Sequence, residues 1–423
     1  MAGFGDRVRG GFGEKNEEQH PDASLPQATA SAEADAVGEP SGIFAGHEDD
    51  FALPLYGQLR QGIGNLFFSP YSVRSALAMA WAGARGETAA QMARALRFAQ
   101  ADKAVHSALA AITRSLNASG GGAYEMAVAN SLWAQCGTPL VAEYLDTIAR
   151  HYGGAATLVD FRGRAEDARA AINQWVEEKT RRKILDLIPP GGVQADTRLV
   201  LANAVWFKGL WERQFSRGET RGEPFYLEGG GTTRAPLMHQ RGMAWYADGP
   251  GWQAVDLPYR GFDLSMRVLL PDRQTGLRDL EARLSASVPH VRSWMGRVRE
   301  VEIFLPRFRM TWGTADLSQP LRALGIPLAF APSQADFSGI NGREPSDSDA
   351  LFLSEVYHKA FVEVNEEGTE AAAATSAHVA LLGLPPPPAP PFRADHPFLF
   401  AIRHQRSGTI LFLGRVADPT RES

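Results

Sequence analysis

The sequence predicts an α+β fold in a single folded domain. Helical periodicity is concentrated in the first half, β patterning dominates from Thr197 onward, and no internal repeat divides the chain. With 423 residues, 44% of them apolar, the chain can build a substantial core.

The elements follow in order. Residues 1–47 are rich in Gly, Glu, Asp, Ala, Ser and Pro and hold few large apolar groups. They cannot bury enough surface to offset ordering entropy, so a disordered tail is expected. The folded body is expected over 48–419, with a short C-terminal tail at 420–423. Phe51 to Gln61 and Ser69 to Ala84 have helical periodicity, and Ser69-Pro70 supplies a capping hydroxyl and an N1 proline. Ala123 to Gln135 alternates and is the one strand expected in the first half. Ala165 to Thr180 reads as a helix ended near Pro189-Pro190-Gly191-Gly192. Leu199 to Phe207 is almost continuously apolar, as suits a strand covered on both faces. Trp252 to Asp256, Leu264 to Leu270 and Glu300 to Phe308 read as further strands, and Leu317 to Leu324 as a short helix. Phe398 to Ile402 and Ile410 to Val416 flank Arg406-Ser407-Gly408 and form a hairpin.

Charge and motifs exclude several functions. The net charge of −5 is mild, and Arg292, Arg297 and Arg299 read as a solvated face, so neither nucleic acid nor a membrane is an expected partner. The single cysteine, Cys136, allows no internal disulfide and no cysteine metal site, and is expected as a buried thiol on a strand. No metal and no cofactor are expected, a polyanion included, since no basic helix stands out. The residues Met1 to Arg7 lack the apolar core of a signal peptide, which points to the cytoplasm unless the start is misassigned or export is non-classical. Without such a signal the sequon Asn117-Ala118-Ser119 is expected to stay idle. No nucleophile elbow, His-Glu-x-x-His or phosphate loop is present, so an enzyme is not expected.

The most informative stretch is Asn365-Glu366-Glu367-Gly368-Thr369-Glu370-Ala371-Ala372-Ala373-Ala374-Thr375. Alanine favours helix, and Glu366 and Glu367 would suit a helix start. Against that, the run is short and follows Gly368. Small residues also fit a strand squeezed between neighbours, where an inward charge would be costly. As a strand, Thr369, Ala371, Ala373 and Thr375 share one face, and Glu370, Ala372 and Ala374 the other.

This stretch resembles the proximal hinge of the serpin reactive loop. Other segments match in serpin order: Asn65 to Ser72, Asn203 to Glu212, Leu305-Pro306-Arg307-Phe308, Asp395 to Phe400 and Phe412 to Val416. The resemblance spans about Asp50 to Pro419. It implies the serpin fold: N-terminal helices on a large central mixed sheet, further antiparallel sheets and an exposed reactive loop, here about 366–394. It implies a polar lock, the shutter, at Ser69, Ser72, Asn203 and His358, and a breach residue at Trp211. The bait would lie fourteen positions past Gly368, making Leu382-Gly383 the reactive bond. A leucine bait suits chymotrypsin-, subtilisin- or elastase-like proteases better than trypsin-like ones. Pro385 to Pro388 and Pro390-Pro391 read as a stiff polyproline spacer beyond it. The resemblance implies a monomeric suicide inhibitor whose partner is a serine protease held as a covalent acyl complex. A non-inhibitory serpin, acting as a binding or chaperone module, is the alternative.

Overall fold

The computed structural model describes residues 51–98, 104–119, 122–153, 156–274, 276–286, 296–369 and 391–422, all within the compact unit Val37–Ser423. The expected tail over 1–47 lies outside the described residues. The strands are β1 (Leu66–Phe68), β2 (Tyr124–Gln135), β3 (Ala156–Val159), β4 (Leu199–Leu210), β5 (Arg221–Tyr226), β6 (Thr232–Gly249), β7 (Trp252–Pro258) and β8 (Leu264–Pro271). They continue with β9 (Arg297–Pro306), β10 (Phe308–Asp316), β11 (Leu353–Val364), β12 (Gly368–Thr369), β13 (Phe392–Arg393), β14 (Phe398–His404) and β15 (Ile410–Val416).

They form two sheets. One runs β1-β15-β14-β8-β7-β6-β9-β13, with β5 added on β6. The other runs β10-β11-β4-β2-β3, with the two residues of β12 added on β4. In the second sheet β4 and β11 are parallel neighbours, Leu199 to Phe207 against Leu353 to Val362, while the outer pairs β2–β4 and β10–β11 are antiparallel.

The near-continuous apolar run of β4 has its reason in two cores. Leu199, Leu201, Val205 and Phe207 face the larger core, which the capped helix Pro70–Gly83 also enters through Val73 and Leu77. Val200, Ala202, Ala204 and Trp206 face the other way, onto Phe161, Ala168, Ile172 and Val176 of the helix Phe161–Lys179. Both faces of the central strand are thus dry, as its sequence requires. The Ser69 hydroxyl caps the helix Pro70–Gly83 by accepting from the Ser72 N–H at 3.0 Å.

Several expectations need correction. Cys136 is exposed, in the turn that follows β2 rather than on the strand. The helix Phe161–Lys179 starts four residues before the expected Ala165 and is capped at Thr180, the expected end, where left-handed φ values of 52° and 60° at Arg181 and Arg182, rather than Pro189, stop it. The first half holds β1 and β3 besides β2. Glu300 to Phe308 is not one strand. Its chain leaves β9, paired to β6, passes Pro306 and Arg307, and enters β10, paired to β11. Pro306 cannot donate to a ladder, which suits a crossing between sheets. β5 and β6, together with the helices Gly86–Ala95, Ala104–Ser119, Ala142–Tyr152 and Gly276–Ala286, had no counterpart in the periodicity reading.

Candidate functional site

At the end of β11 the chain reverses over Glu366 and Glu367. The Asn365 N–H donates to the Gly368 carbonyl at 2.8 Å, and the Asn365 side chain accepts from the Glu367 N–H at 3.1 Å. Gly368 and Thr369 then pair antiparallel with Leu210 and Gly209, at the end of the β4–β11 joint. Gly368 has φ 142°, and a Cβ there would lie 2.0 Å from the Gly209 carbonyl oxygen and 2.6 Å from Leu210 Cα. Only glycine fits this approach.

The segment between β4 and β5 grips this reversal. The Trp211 N–H and the Gln214 amide both donate to the Glu367 carbonyl, at 3.0 and 3.2 Å, and the Phe215 N–H donates to the Glu366 carbonyl at 2.8 Å. The buried Trp211 indole stacks on Tyr259 at 4.6 Å and donates from Nε1 to the Asn365 carbonyl at 2.9 Å.

Glu366 is 2% exposed. Arg307 Nε donates to its carboxylate at 2.6 Å, Arg307 Nη2 pairs with it as well, and the Thr220 hydroxyl adds a further bond. Burial works to raise the Glu366 carboxyl, but the hydrogen bonds from Arg307 and Thr220 outweigh it and hold the carboxyl below its ordinary value. Arg217 pairs with Glu367. A cavity of about 390 Å³ opens beside these groups, lined by Arg217, Arg307, Arg309 and Glu363 among others, so the guanidinium of Arg307 keeps contact with solvent.

A second polar cluster lies further down the same joint. Asn130 of β2, Asn203 of β4 and His358 of β11 are direct cross-strand neighbours. The Asn203 amide donates to Asn130 Oδ1 and to Ser72 Oγ, which itself donates to Asn130 Oδ1 at 3.2 Å. His358 accepts from the Ser69 N–H through Nε2 at 3.1 Å, so its Nδ1–H donates to Asn203 Oδ1. Ser69 Oγ donates to the Leu411 carbonyl at 2.6 Å. Ser69, Ser72, Asn203 and His358 are fully buried. Burial lowers the His358 pKa to about 3, so the ring is neutral, as this bonding pattern demands.

The structure therefore brings Ser69, Ser72, Asn203 and His358 together, and sets Trp211 against Asn365 and Glu367. Gly368 and the backbone of Thr369 lie at the end of the joint. Glu370, Ala371, Ala372, Ala373, Ala374, Thr375, Leu382 and Gly383 lie outside the described residues. Sequence reasoning missed Arg307, Thr220, Arg217 and Gln214, which bond to Glu366 and Glu367, and Asn130, which completes the polar row. Arg307 had one signal, its place in Leu305-Pro306-Arg307-Phe308; the others had none.

The family model described as Serpin (serine protease inhibitor) matches residues 47–419. Leukocyte elastase inhibitor from Sus scrofa is 41% identical over 381 residues, covering 87% of this chain and 97% of the relative. An uncharacterized serpin-like protein of Thermococcus kodakarensis is 39% identical over 373 residues, covering 88% of this chain and 84% of the relative. Uncleaved ovalbumin superposes with a TM-score of 0.77 at 31% identity, covering 90% of this chain and all of that one. The thermophilic serpin tengpin in its native state gives a TM-score of 0.76 at 25% identity, covering 89% of this chain and 94% of that one. On the family match and these identities, the chain belongs to the serpin family.

Proposed function

We propose that this protein inhibits serine endopeptidases as a suicide substrate, by inserting its cleaved reactive loop between β4 and β11. The observation that carries the reading is the closed β4–β11 joint with β12 already seated at its end. The parallel joint is the less favourable kind of pairing. A strand continuing β12 would replace it with two antiparallel joints, giving an antiparallel run from β10 through β2. Loop insertion into a sheet is itself the established example of such a switch for serpins.

The register of β12 can be continued. Each step forward in the loop is one step back in β4, so Ala371 meets Phe207, Ala373 meets Val205 and Thr375 meets Asn203. Across the hairpin from Asn365, the same count sets Thr375 against His358. Thr375 would then separate the Asn203–His358 contact and offer a hydroxyl to both. Glu370 meets Lys208, while Ala372 and Ala374 meet Trp206 and Ala204 beneath the helix Phe161–Lys179. That face is roofed too, so its alanines must also be small.

The target's serine attacks the carbonyl carbon of Leu382. The Leu382–Gly383 peptide bond breaks, the Gly383 amine takes a proton, and Leu382 stays bound as an ester. The freed strand inserts before water hydrolyses that ester and drags the protease along. Leu382, with Val379, Ala380 and Leu381 before it, suits the apolar primary pocket of a chymotrypsin-, subtilisin- or elastase-like protease, and the relatives named leukocyte elastase inhibitors favour the elastase-like kind. Incubation with such a protease should give a complex that survives denaturing electrophoresis. Ala371→Arg should be cleaved instead of inhibiting, because insertion would bury its charge opposite Phe207 in the larger core. Cleavage of the unaltered chain by every such protease, with full activity retained, would contradict the reading and favour a non-inhibitory serpin.

A further inference from the structure

We infer that His239 is a positioning residue for the hinge, acting through Glu219, and that its charge sets how firmly the hinge is held. The inference rests on the proposed function only where hinge release is coupled to inhibition. Trp211, Gln214, Phe215, Arg217 and Thr220 all bond to residues 365–367, yet the segment that carries them has little regular structure beyond a three-residue turn, Arg217–Glu219. Glu219 lies between two of the gripping residues. Its carboxylate is 3.0 Å from His239 Nδ1 on β6, and His239 Nε2 is 3.1 Å from the Glu302 carboxylate on β9. The imidazole lies on the Phe304 ring at 4.6 Å and 20°, and the Arg393 guanidinium lies 4.5 Å from that same ring. Arg393 pairs in turn with Glu223 and Asp395, and Arg241 on β6 pairs with Glu300. His239 thus ties the clamp on the hinge to the ladder whose far edge, β13, follows the loop.

A neutral imidazole carries one N–H and serves one of the two carboxylates. Only the imidazolium donates to both. When the ring loses its charge, one carboxylate faces a lone pair and the two acids repel each other across it. A side chain that donates to both carboxylates holds the clamp closed, and one that donates to neither lets it loosen.

The test is amide exchange at Phe215, whose N–H is bonded to the Glu366 carbonyl, normalised to the intrinsic rate and read at one fixed pH. His239→Arg, which keeps a charge and donors for both carboxylates, should protect this amide about two- to fivefold more than His239→Phe, the range for a partly exposed ion pair. Equal protection in the two variants overturns the inference. This readout needs no protease, so it stands apart from whether the chain traps one.

Discussion

Arg307, at the crossing from β9 to β10, closes on the buried carboxylate of Glu366, 59 residues further along the chain. The contact joins the point where the chain changes sheets to the reversal between β11 and β12. Removing the charge by Glu366→Gln should cost about 1.5–3 kcal/mol, the range for hydrogen bonds to charged groups, with the lower end favoured because Arg307 reaches solvent. If the inserting transition state has already lost this contact, spontaneous conversion to a loop-inserted form should speed up by about tenfold. Conversion can be timed by loss of inhibitory activity at a fixed temperature. Arg307→Glu combined with Glu366→Arg should recover part of the loss, and a double variant no better than the singles would show that the pair does not hold the hinge.

Gly368→Ala should unseat β12. The new methyl would meet the Gly209 carbonyl and Leu210 Cα, and φ 142° suits no other residue. Backbone strain of this kind costs about 1–3 kcal/mol. The expected readout is faster exchange of the Trp211 amide, which donates to the Glu367 carbonyl, with the Asn203 side-chain bonds left intact. Unchanged exchange at Trp211 would mean that β12 contributes little to the closed joint.

His358 should impose acid lability. Its folded pKa, lowered to about 3 by burial, is below the ordinary histidine value, so the unfolded chain takes up a proton first as pH falls. Its contribution is complete above about pH 6.5 and declines from there toward pH 3. His358→Phe fills the space but leaves the Ser69 N–H and the Asn203 carbonyl unpaired, at about 1–3 kcal/mol each. The variant should melt lower at neutral pH and lose this part of the acid slope. Parallel melting curves against pH would refute the assignment.

Glu355 should act in the opposite direction. It sits at the end of the joint away from the hinge, at the irregularity where Glu355 pairs Val200, and its Oε2 is buried without a partner. Burial first, then Asp316 and Asp196, raise its pKa to about 8. Below the ordinary glutamate value both states are protonated and the contribution is full; it is lost as pH rises through about 8. Glu355→Gln should flatten this slope and raise the melting midpoint on the alkaline side. An unchanged slope would place Glu355 in water.

The sequence made some of this legible and hid the rest for physical reasons. The two dry faces of β4 were readable because burial on both sides demands an unbroken apolar run. Ser69-Pro70 was readable because capping is local. Arg307 and Glu366 were not paired in advance, since nothing local tells an arginine on an alternating strand that the strand ends one residue earlier and changes sheets. Asn130 read as one polar residue in an alternating strand, and its role depends on a register set by distant pairing. Cys136 was misjudged because the strand stops one residue before it. The exposed arginines at 181 and 182 end a helix through backbone conformation, which no composition rule anticipates.

On the proposed function, the closed β4–β11 joint stores energy that an added strand releases. The direct measurement is the melting temperature of the intact chain against the chain nicked in the reactive loop by a non-target protease. A large rise is expected after nicking, because the parallel joint gives way to two antiparallel ones. Equal melting temperatures for the two forms would contradict it.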